Sequence, residues 1–187
     1  MGRDKPRRII DTYVNLLVDS GVRQATIEAV ARRCGLSKAG LLHHYPSRAA
    51  LDAALLERLR SLVEEDVTVM REAPGGAVRY YLASSLDAES DLERIVVAAT
   101  RLAQADHSPA GELLRWARDL WYDVLVEQLG DPLLARFVLL AGDGVSYHTD
   151  ISTPNEQPFI TADDIDSFTR VFETLQRSEG DGRQTLA

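Results

Sequence analysis

The 187-residue sequence has few of the residues on which several classes of protein depend. Its one cysteine, Cys34, cannot form an internal disulfide or a zinc site built on cysteines alone. None of its four histidines has an acidic or cysteine partner at the spacing of metal ligands. No nucleophile elbow, phosphate-binding loop or dinucleotide-binding glycine pattern occurs. The sequence therefore predicts a protein that is not an enzyme and has no catalytic residues, metal or cofactor.

Long apolar runs and strand-like alternation are also missing. No run is long enough to span a membrane, and the first residues are charged rather than apolar as in a signal peptide. Hydrophobic residues nevertheless make up 45% of the chain, which is enough for a core. We therefore expect an all-α, cytoplasmic protein with no membrane partner.

Negative charge predominates overall but is unevenly distributed. The net charge of the chain is −8. Residues 1–60 contain 11 Lys and Arg against 6 Asp and Glu, a net charge of +5, whereas residues 61–187 carry −13. A basic N-terminal part on an acidic remainder favours attraction to nucleic acid at one end of the protein only. Ordinary surface charge does not predict this separation.

The most informative segment is residues 26–48, TIEAVARRCGLSKAGLLHHYPSR. Thr26 is a good N-cap for a short helix, and Gly35 tolerates the positive φ with which helices often end. Ser37 is an N-cap for a second helix, which Pro46 stops. Two helices joined by so short a turn make a helix-turn-helix, whose second helix enters the major groove of DNA. The alternative is an ordinary helical hairpin within a bundle.

This segment resembles the DNA-binding segment of the tetracycline-repressor (TetR) family of transcriptional regulators. The matching residues are Thr26, Ala31, Gly35, Leu36, Ser37, Lys38, Leu41, His43, Tyr45, Ser47 and Arg48. The sequence departs from the family at Leu42, where a phosphate-contacting tyrosine is usual, and at Tyr45, where phenylalanine is usual. The resemblance implies a three-helix DNA-binding domain over residues 1–48.

The predicted contacts with operator DNA follow from this resemblance and from side-chain chemistry. Groove-facing residues are Ser37, Lys38, Ala39, Gly40 and His43. Phosphate contacts are expected from Thr26, from Arg48 and from the backbone of Leu42.

Residues 49–187 are expected to form a second, helical domain for ligand binding and dimerisation. A long helix over about residues 48–72 connects it to the first, with the acidic run Glu64-Glu65-Asp66 on its solvated side. Pro74-Gly75-Gly76 marks the clearest boundary, and further helices follow to the last one, which begins near Thr161.

The last two predicted helices are apolar on more faces than one monomer needs. Small residues in the first of them allow close approach of a neighbouring helix. Together they favour a four-helix bundle across a two-fold axis, which the family resemblance also implies. The expected interface residues are Leu140, Ala141, Gly144, Val145, His148, Phe168, Val171, Phe172 and Leu175. The alternative is that both helices simply cover the core.

The middle helices contain the candidates for a small-molecule site. Large aromatics with a few polar anchors are typical of ligand pockets, and the family encloses its inducer in this region. The candidates are Tyr80, Tyr81, Arg101, Trp116, Trp121 and Tyr122. Core packing is the alternative for the aromatics. Arg101 lies in an apolar helix, so we expect its guanidinium to point inward or along an interface.

Together these features predict a homodimeric transcriptional regulator, a repressor that an unidentified small-molecule effector releases from operator DNA. The alternative, from another class, is a helical small-molecule-binding or scaffolding protein without specific DNA binding.

Overall fold

The computed structural model describes residues 5–153 and 157–184, with side chains placed up to residue 177. Over these residues the chain is helical and contains no strand, so the predicted all-α class is confirmed. The helices are α1 (Lys5–Ser20), α2 (Ile27–Cys34), α3 (Lys38–His44), α4 (Arg48–Arg71), α5 (Gly76–Ser84), α6 (Asp91–Gln104), α7 (Ser108–Leu129), α8 (Pro132–Asp150) and α9 (Ala162–Gln184).

Short-range capping explains where most of these helices begin. The hydroxyls of Ser47 and Ser90 each accept a hydrogen bond from the backbone N–H three residues later, at 3.1 Å. Asp131 accepts from two N–H groups of α8, at 2.7 and 2.9 Å. Thr161 and Asp164 form the reciprocal pair of a capping box at the start of α9. The start of the last helix near Thr161 is as predicted.

The helices group into two compact units. Unit 1 comprises residues 1–64 and 90–117, and so contains α1–α3, α6 and the N-terminal parts of α4 and α7. Within it, α1 packs against α2 and α6. Six residues form the buried face of α1: Ile9, Ile10, Tyr13, Val14, Leu16 and Leu17.

Unit 2 comprises residues 65–89 and 118–187, and contains α5, α8, α9 and the remainders of α4 and α7. Helix α5 packs against α8 and α9. The Gln128 side chain accepts from the Ala77 N–H at 2.6 Å and so holds the start of α5. At Gly142 the Tyr81 ring occupies the space that a Cβ atom would need, so α5 and α8 approach closely there.

The buried residues of α4 recur at helical spacing. Leu51, Leu55 and Leu59 are fully buried, and the next buried residue is Val63, since Leu62 is only half-buried. The buried positions thus keep a four-residue interval.

The two units are groups of packed helices. The predicted functional division into two domains after residue 48 remains a prediction.

Candidate DNA interface

The two short helices α2 and α3 are held by local hydrogen bonds. The hydroxyls of Thr26 and Ser37 accept from the backbone N–H three residues later, at 3.1 and 3.0 Å. Gly35 has φ 68°, a left-handed conformation that residues with a Cβ adopt only with strain. The Leu36 N–H then donates to the Ala31 carbonyl at 2.9 Å. The turn between the helices is therefore built from the residues that the sequence places there.

Buried side chains fix the two helices within unit 1. Val30 of α2 and Leu41 of α3 are completely buried. Beyond the end of α3, the Tyr45 hydroxyl donates to the Pro6 carbonyl of α1 at 3.3 Å. The opposite side of α3 is consequently left at the surface.

A buried carboxylate joins α1 to α4 behind these helices. Asp52 is 6% exposed, and it accepts a hydrogen bond from the Tyr13 hydroxyl at 2.5 Å. Burial, reinforced by Asp52, raises the pKa of Tyr13 far above its usual range. The Arg48 guanidinium lies 3.5 Å from the same Asp52 oxygen and 5.0 Å from the centre of the Tyr13 ring.

Arg48 is also bonded to the segment that leads into α2. Its guanidinium donates to the Ala25 carbonyl at 2.7 Å and to the Val22 carbonyl at 3.4 Å. With Asp52 as a further partner, its donors are directed to acceptors inside unit 1. These bonds hold the segment against α4, and the phosphate contact expected of Arg48 stays a prediction.

Four of the groove-facing residues expected on α3 lie at its N-terminal end, and His43 lies in its last turn. Ser37, Lys38, Ala39 and His43 are exposed, and Gly40 is half-buried. Short side chains at Ala39 and Gly40 allow the backbone to approach a base edge. Of the expected phosphate contacts, Thr26 accepts one hydrogen bond and keeps its own O–H to donate, while Leu42 is half-buried.

Sequence reasoning missed an acidic residue at this surface. The Lys38 ammonium lies 2.6 Å from the carboxylate of Glu28 in α2. The hydrogen bond from Lys38 lowers the pKa of Glu28, whose side chain is exposed. The two residues are ten positions apart on different helices, so no helical spacing rule predicts the pair.

Four of the six ligand candidates lie in unit 2, and three of them form one cluster. The Tyr80 hydroxyl and the Trp121 indole N–H donate to the two oxygens of Asp66, at 2.7 and 2.8 Å. The ring centres of Tyr81 and Trp121 are 6.1 Å apart. Burial of the Tyr80 hydroxyl, and to a lesser extent its hydrogen bond to Asp66, raises the pKa of Tyr80 far above its usual range. Asp66, expected on the solvated side of α4, is instead half-buried in this cluster.

The other three ligand candidates lie apart from this cluster. Tyr122 of unit 2 donates to the Pro132 carbonyl at 3.4 Å. Trp116 belongs to unit 1, where the Arg60 guanidinium lies 4.4 Å from its ring centre. Arg101 also belongs to unit 1 and is exposed, so it does not point inward, and the other expected orientation, along an interface, stays a prediction. An exposed guanidinium is hydrated and needs no buried partner.

The expected dimer residues divide by exposure. Leu140, Val171 and Leu175 are exposed, and five others are half-buried: Ala141, Gly144, His148, Phe168 and Phe172. Val145 is only 2% exposed, which makes it part of the core rather than of an interface. Sequence reasoning missed three exposed apolar residues on α8, Leu133, Phe137 and Tyr147, and a fourth, Ile151, at its C-cap.

Helices α2 and α3 are both capped, are packed on one side within unit 1 and expose the start of α3 on the other side. This is the arrangement of a helix-turn-helix DNA-binding protein. Residues 9–55 match the family model described as "Bacterial regulatory proteins, tetR family". Residues 9–55 therefore form a DNA-binding domain of the TetR type, and this domain supports the role of a DNA-binding transcriptional regulator.

Solved structures share the fold over nearly the whole chain. Salmonella enterica GusR is 19% identical, with a TM-score of 0.64, and the match covers 95% of this chain and 96% of that one. A TetR-like transcriptional regulator from Rhodococcus sp. RHA1 is 18% identical, with a TM-score of 0.62 and coverage of 97% and 99%. The ketosteroid transcriptional regulator KstR2 of Mycobacterium tuberculosis is 19% identical, with a TM-score of 0.57 and coverage of 92% and 94%.

A comparison with curated proteins finds no significant match. Within the described residues, no helix combines the length and apolar composition needed to cross a bilayer.

Proposed function

We propose that the protein is a homodimeric repressor that binds a roughly palindromic operator and is released by a small-molecule effector. The observation that carries the proposal is the exposed side of α3, a helix held by its cap and by buried Leu41: Lys38 and Ala39 at its start and His43 in its last turn reach solvent. Two copies of α3 would enter successive major grooves, about one helical turn apart or somewhat more. Because its target is DNA, we expect the protein to act in the cytoplasm.

The distribution of charge supports the same orientation on DNA. Residues 1–60 carry +5 and residues 61–187 carry −13. Phosphates attract the first part and repel the second, so the protein approaches DNA with its helix-turn-helix forward.

A gel-shift assay against fragments of the source genome tests operator binding. We expect a small set of fragments to be retained at salt concentrations that release the others. A helical ligand-binding or scaffolding protein would show no such selectivity, and that result would contradict the proposal.

The dimer is supported by an apolar stripe on α8. Leu133, Phe137, Leu140, Tyr147 and Ile151 follow one another at intervals of three, four and seven residues, and each is 56–67% exposed. These intervals place them on one face of the helix. Val171 and Leu175 of α9 add two exposed apolar side chains at helical spacing. A face of this kind is expected to be covered by a second copy of the chain.

Gly144 provides a clean test of this dimer because it lies within the stripe. A Cβ atom at Gly144 would meet nothing within 4 Å, so an arginine fits the monomer without a clash. We expect Gly144→Arg to melt normally but to sediment as a monomer and to lose operator binding. Ser61→Arg, which adds the same charge at an exposed position of α4, is the matched control and should stay dimeric. A dimeric Gly144→Arg protein would place the interface elsewhere.

We propose the cluster of Tyr80, Tyr81, Trp121 and Asp66 as the effector site. The cluster combines apolar rings with a carboxylate, as ligand pockets often do. The Tyr80 hydroxyl and the Trp121 indole N–H now donate to Asp66, and both can donate instead to a polar ligand that takes the place of this carboxylate as acceptor. Release of the operator requires only that the effector bind one conformation of the dimer more tightly than the other.

Tryptophan fluorescence locates the effector because Trp116 and Trp121 are the only tryptophans. In Trp116→Phe all indole emission comes from Trp121, and in Trp121→Phe it comes from Trp116. A compound that releases DNA should change the emission of Trp116→Phe in proportion to release. A response confined to Trp121→Phe would place the effector near Trp116 instead.

A further inference from the structure

An ion pair crosses from α2 to α3 at the surface proposed to face DNA. Lys38 is the first residue of α3, and its ammonium lies 2.6 Å from the Glu28 carboxylate. The side chains are 60% and 57% exposed. Both are therefore accessible to a molecule that docks on this surface.

The pair contributes little to the fold. Exposed ion pairs contribute little to stability because water screens the charges, and α2 and α3 already have their caps and buried anchors. A carboxylate at a DNA interface is also unfavourable, since phosphates repel it, unless a base offers it a hydrogen-bond donor. The position of Glu28 is better explained by such a donor than by stability.

A G·C base pair offers a matching arrangement in the major groove. Guanine presents the acceptors O6 and N7, and cytosine presents the N4 amino donor. Guanine O6 and cytosine N4 are partners in a base-pair hydrogen bond, so they lie about 2.9 Å apart. An ammonium and a carboxylate 2.6 Å apart present the complementary donor and acceptor at nearly the same separation.

We propose that Glu28 and Lys38 together read one G·C base pair in each operator half-site. Lys38 donates to guanine O6 and N7, and Glu28 accepts from the cytosine N4 amino group. The carboxylate keeps the lysine at the base edges when phosphates would otherwise attract it. This inference rests on the proposed operator binding and specifies one position of the operator.

Selection from a pool of randomised duplexes tests the readout with the full-length protein. The proteins compared are wild type, Glu28→Ala, Lys38→Ala, the double variant, and Glu57→Ala as the control. Glu57 is an exposed acid on α4, so its removal changes the net charge by the same amount. Thermal melting of each variant verifies the fold.

Wild type should select a motif with an invariant G·C pair in each half-site. Glu28→Ala and Lys38→Ala should both relax that same position. In each variant the preference for G·C over other base pairs there should fall roughly 5- to 150-fold. The double variant should lose little more than either single variant, because both side chains read one base pair. Glu57→Ala should select the wild-type motif.

Two results would overturn the inference, and they differ from each other. If Glu28→Ala selects the wild-type motif unchanged, or relaxes a position other than that of Lys38→Ala, the paired readout is wrong while operator binding stands. If wild type enriches no sequence at all, operator binding itself is refuted and the readout with it.

Discussion

The hydrogen bond between Tyr13 and Asp52 gives the sharpest prediction about what holds the DNA-binding helices. Tyr13 is fully buried, so Tyr13→Phe keeps the packing of the ring and removes only the hydroxyl. A hydrogen bond to a charged group stabilises a protein by roughly 1.5–3 kcal/mol. Asp52 keeps Arg48 at 3.5 Å and has His107 at 3.9 Å, so the carboxylate is not left without partners. We therefore expect a loss of about 2 kcal/mol.

Urea unfolding at neutral pH measures this loss as a lower midpoint with an unchanged slope. Tyr45→Phe is the matched control, since its hydroxyl bonds the Pro6 carbonyl at 3.3 Å near the surface, and we expect about 0.5 kcal/mol there. Equal midpoints for the two variants would refute the assignment of Tyr13 and Asp52 as the link between α1 and α4.

The raised pKa of Tyr13 adds a pH dependence whose sign is fixed. Above about pH 10 the unfolded chain ionises this tyrosine, whereas the folded protein keeps it protonated. The folded state then binds more protons, so the free energy of unfolding falls as the pH rises. Tyr13→Phe lacks this contribution, and the gap between wild type and the variant should narrow above pH 10. A gap that stays constant would contradict the raised pKa.

Three further substitutions test other parts of the molecule. Gly142→Ala should destabilise unit 2 by about 1–3 kcal/mol, because the new methyl would lie 2.9 Å from Cδ1 of Tyr81 and the ring must move; Gly144→Ala, with open space around it, should not. If Lys38 reads guanine, Lys38→Ala should reduce the discrimination between bases at one operator position by roughly 1–3 kcal/mol. If Lys38 contacts a phosphate, the same change should lower the affinity for all sequences alike and reduce the slope of log affinity against log salt by about one. Arg101→Met should change stability by less than about 0.5 kcal/mol, because Arg101 is exposed; a loss of several kcal/mol would mean that its charge has a buried partner.

Local features of the DNA-binding segment could be predicted because their causes are local. The Thr26 and Ser37 caps are hydrogen bonds between residues three apart, and the turn at Gly35 needs only a glycine. The role of Arg48 could not be predicted in this way. Its partners at Val22 and Ala25 are backbone carbonyls more than twenty residues away, which no sequence pattern marks.

The exposed face of α8 shows a second limit to what can be predicted from the sequence. The helix is apolar nearly all round, so its sequence does not distinguish the core-facing side from the exposed one. The sequence predicts that Val145 lies in the interface, but it is buried, whereas Phe137 and Tyr147, which are not among the predicted interface residues, are exposed. Arg101 fails for the opposite reason, since an arginine among apolar neighbours in sequence can still lie on the exposed face of its helix.

Footprinting of the operator, combined with the mass of the complex, tests the central claim most directly. A homodimer with two exposed α3 helices predicts a protected site containing an inverted repeat, with half-sites about one helical turn apart or somewhat more and two chains bound. Protection should weaken steeply with salt, as phosphate contacts require. A single chain on a site without internal symmetry, or binding that protects no particular sequence, would contradict it.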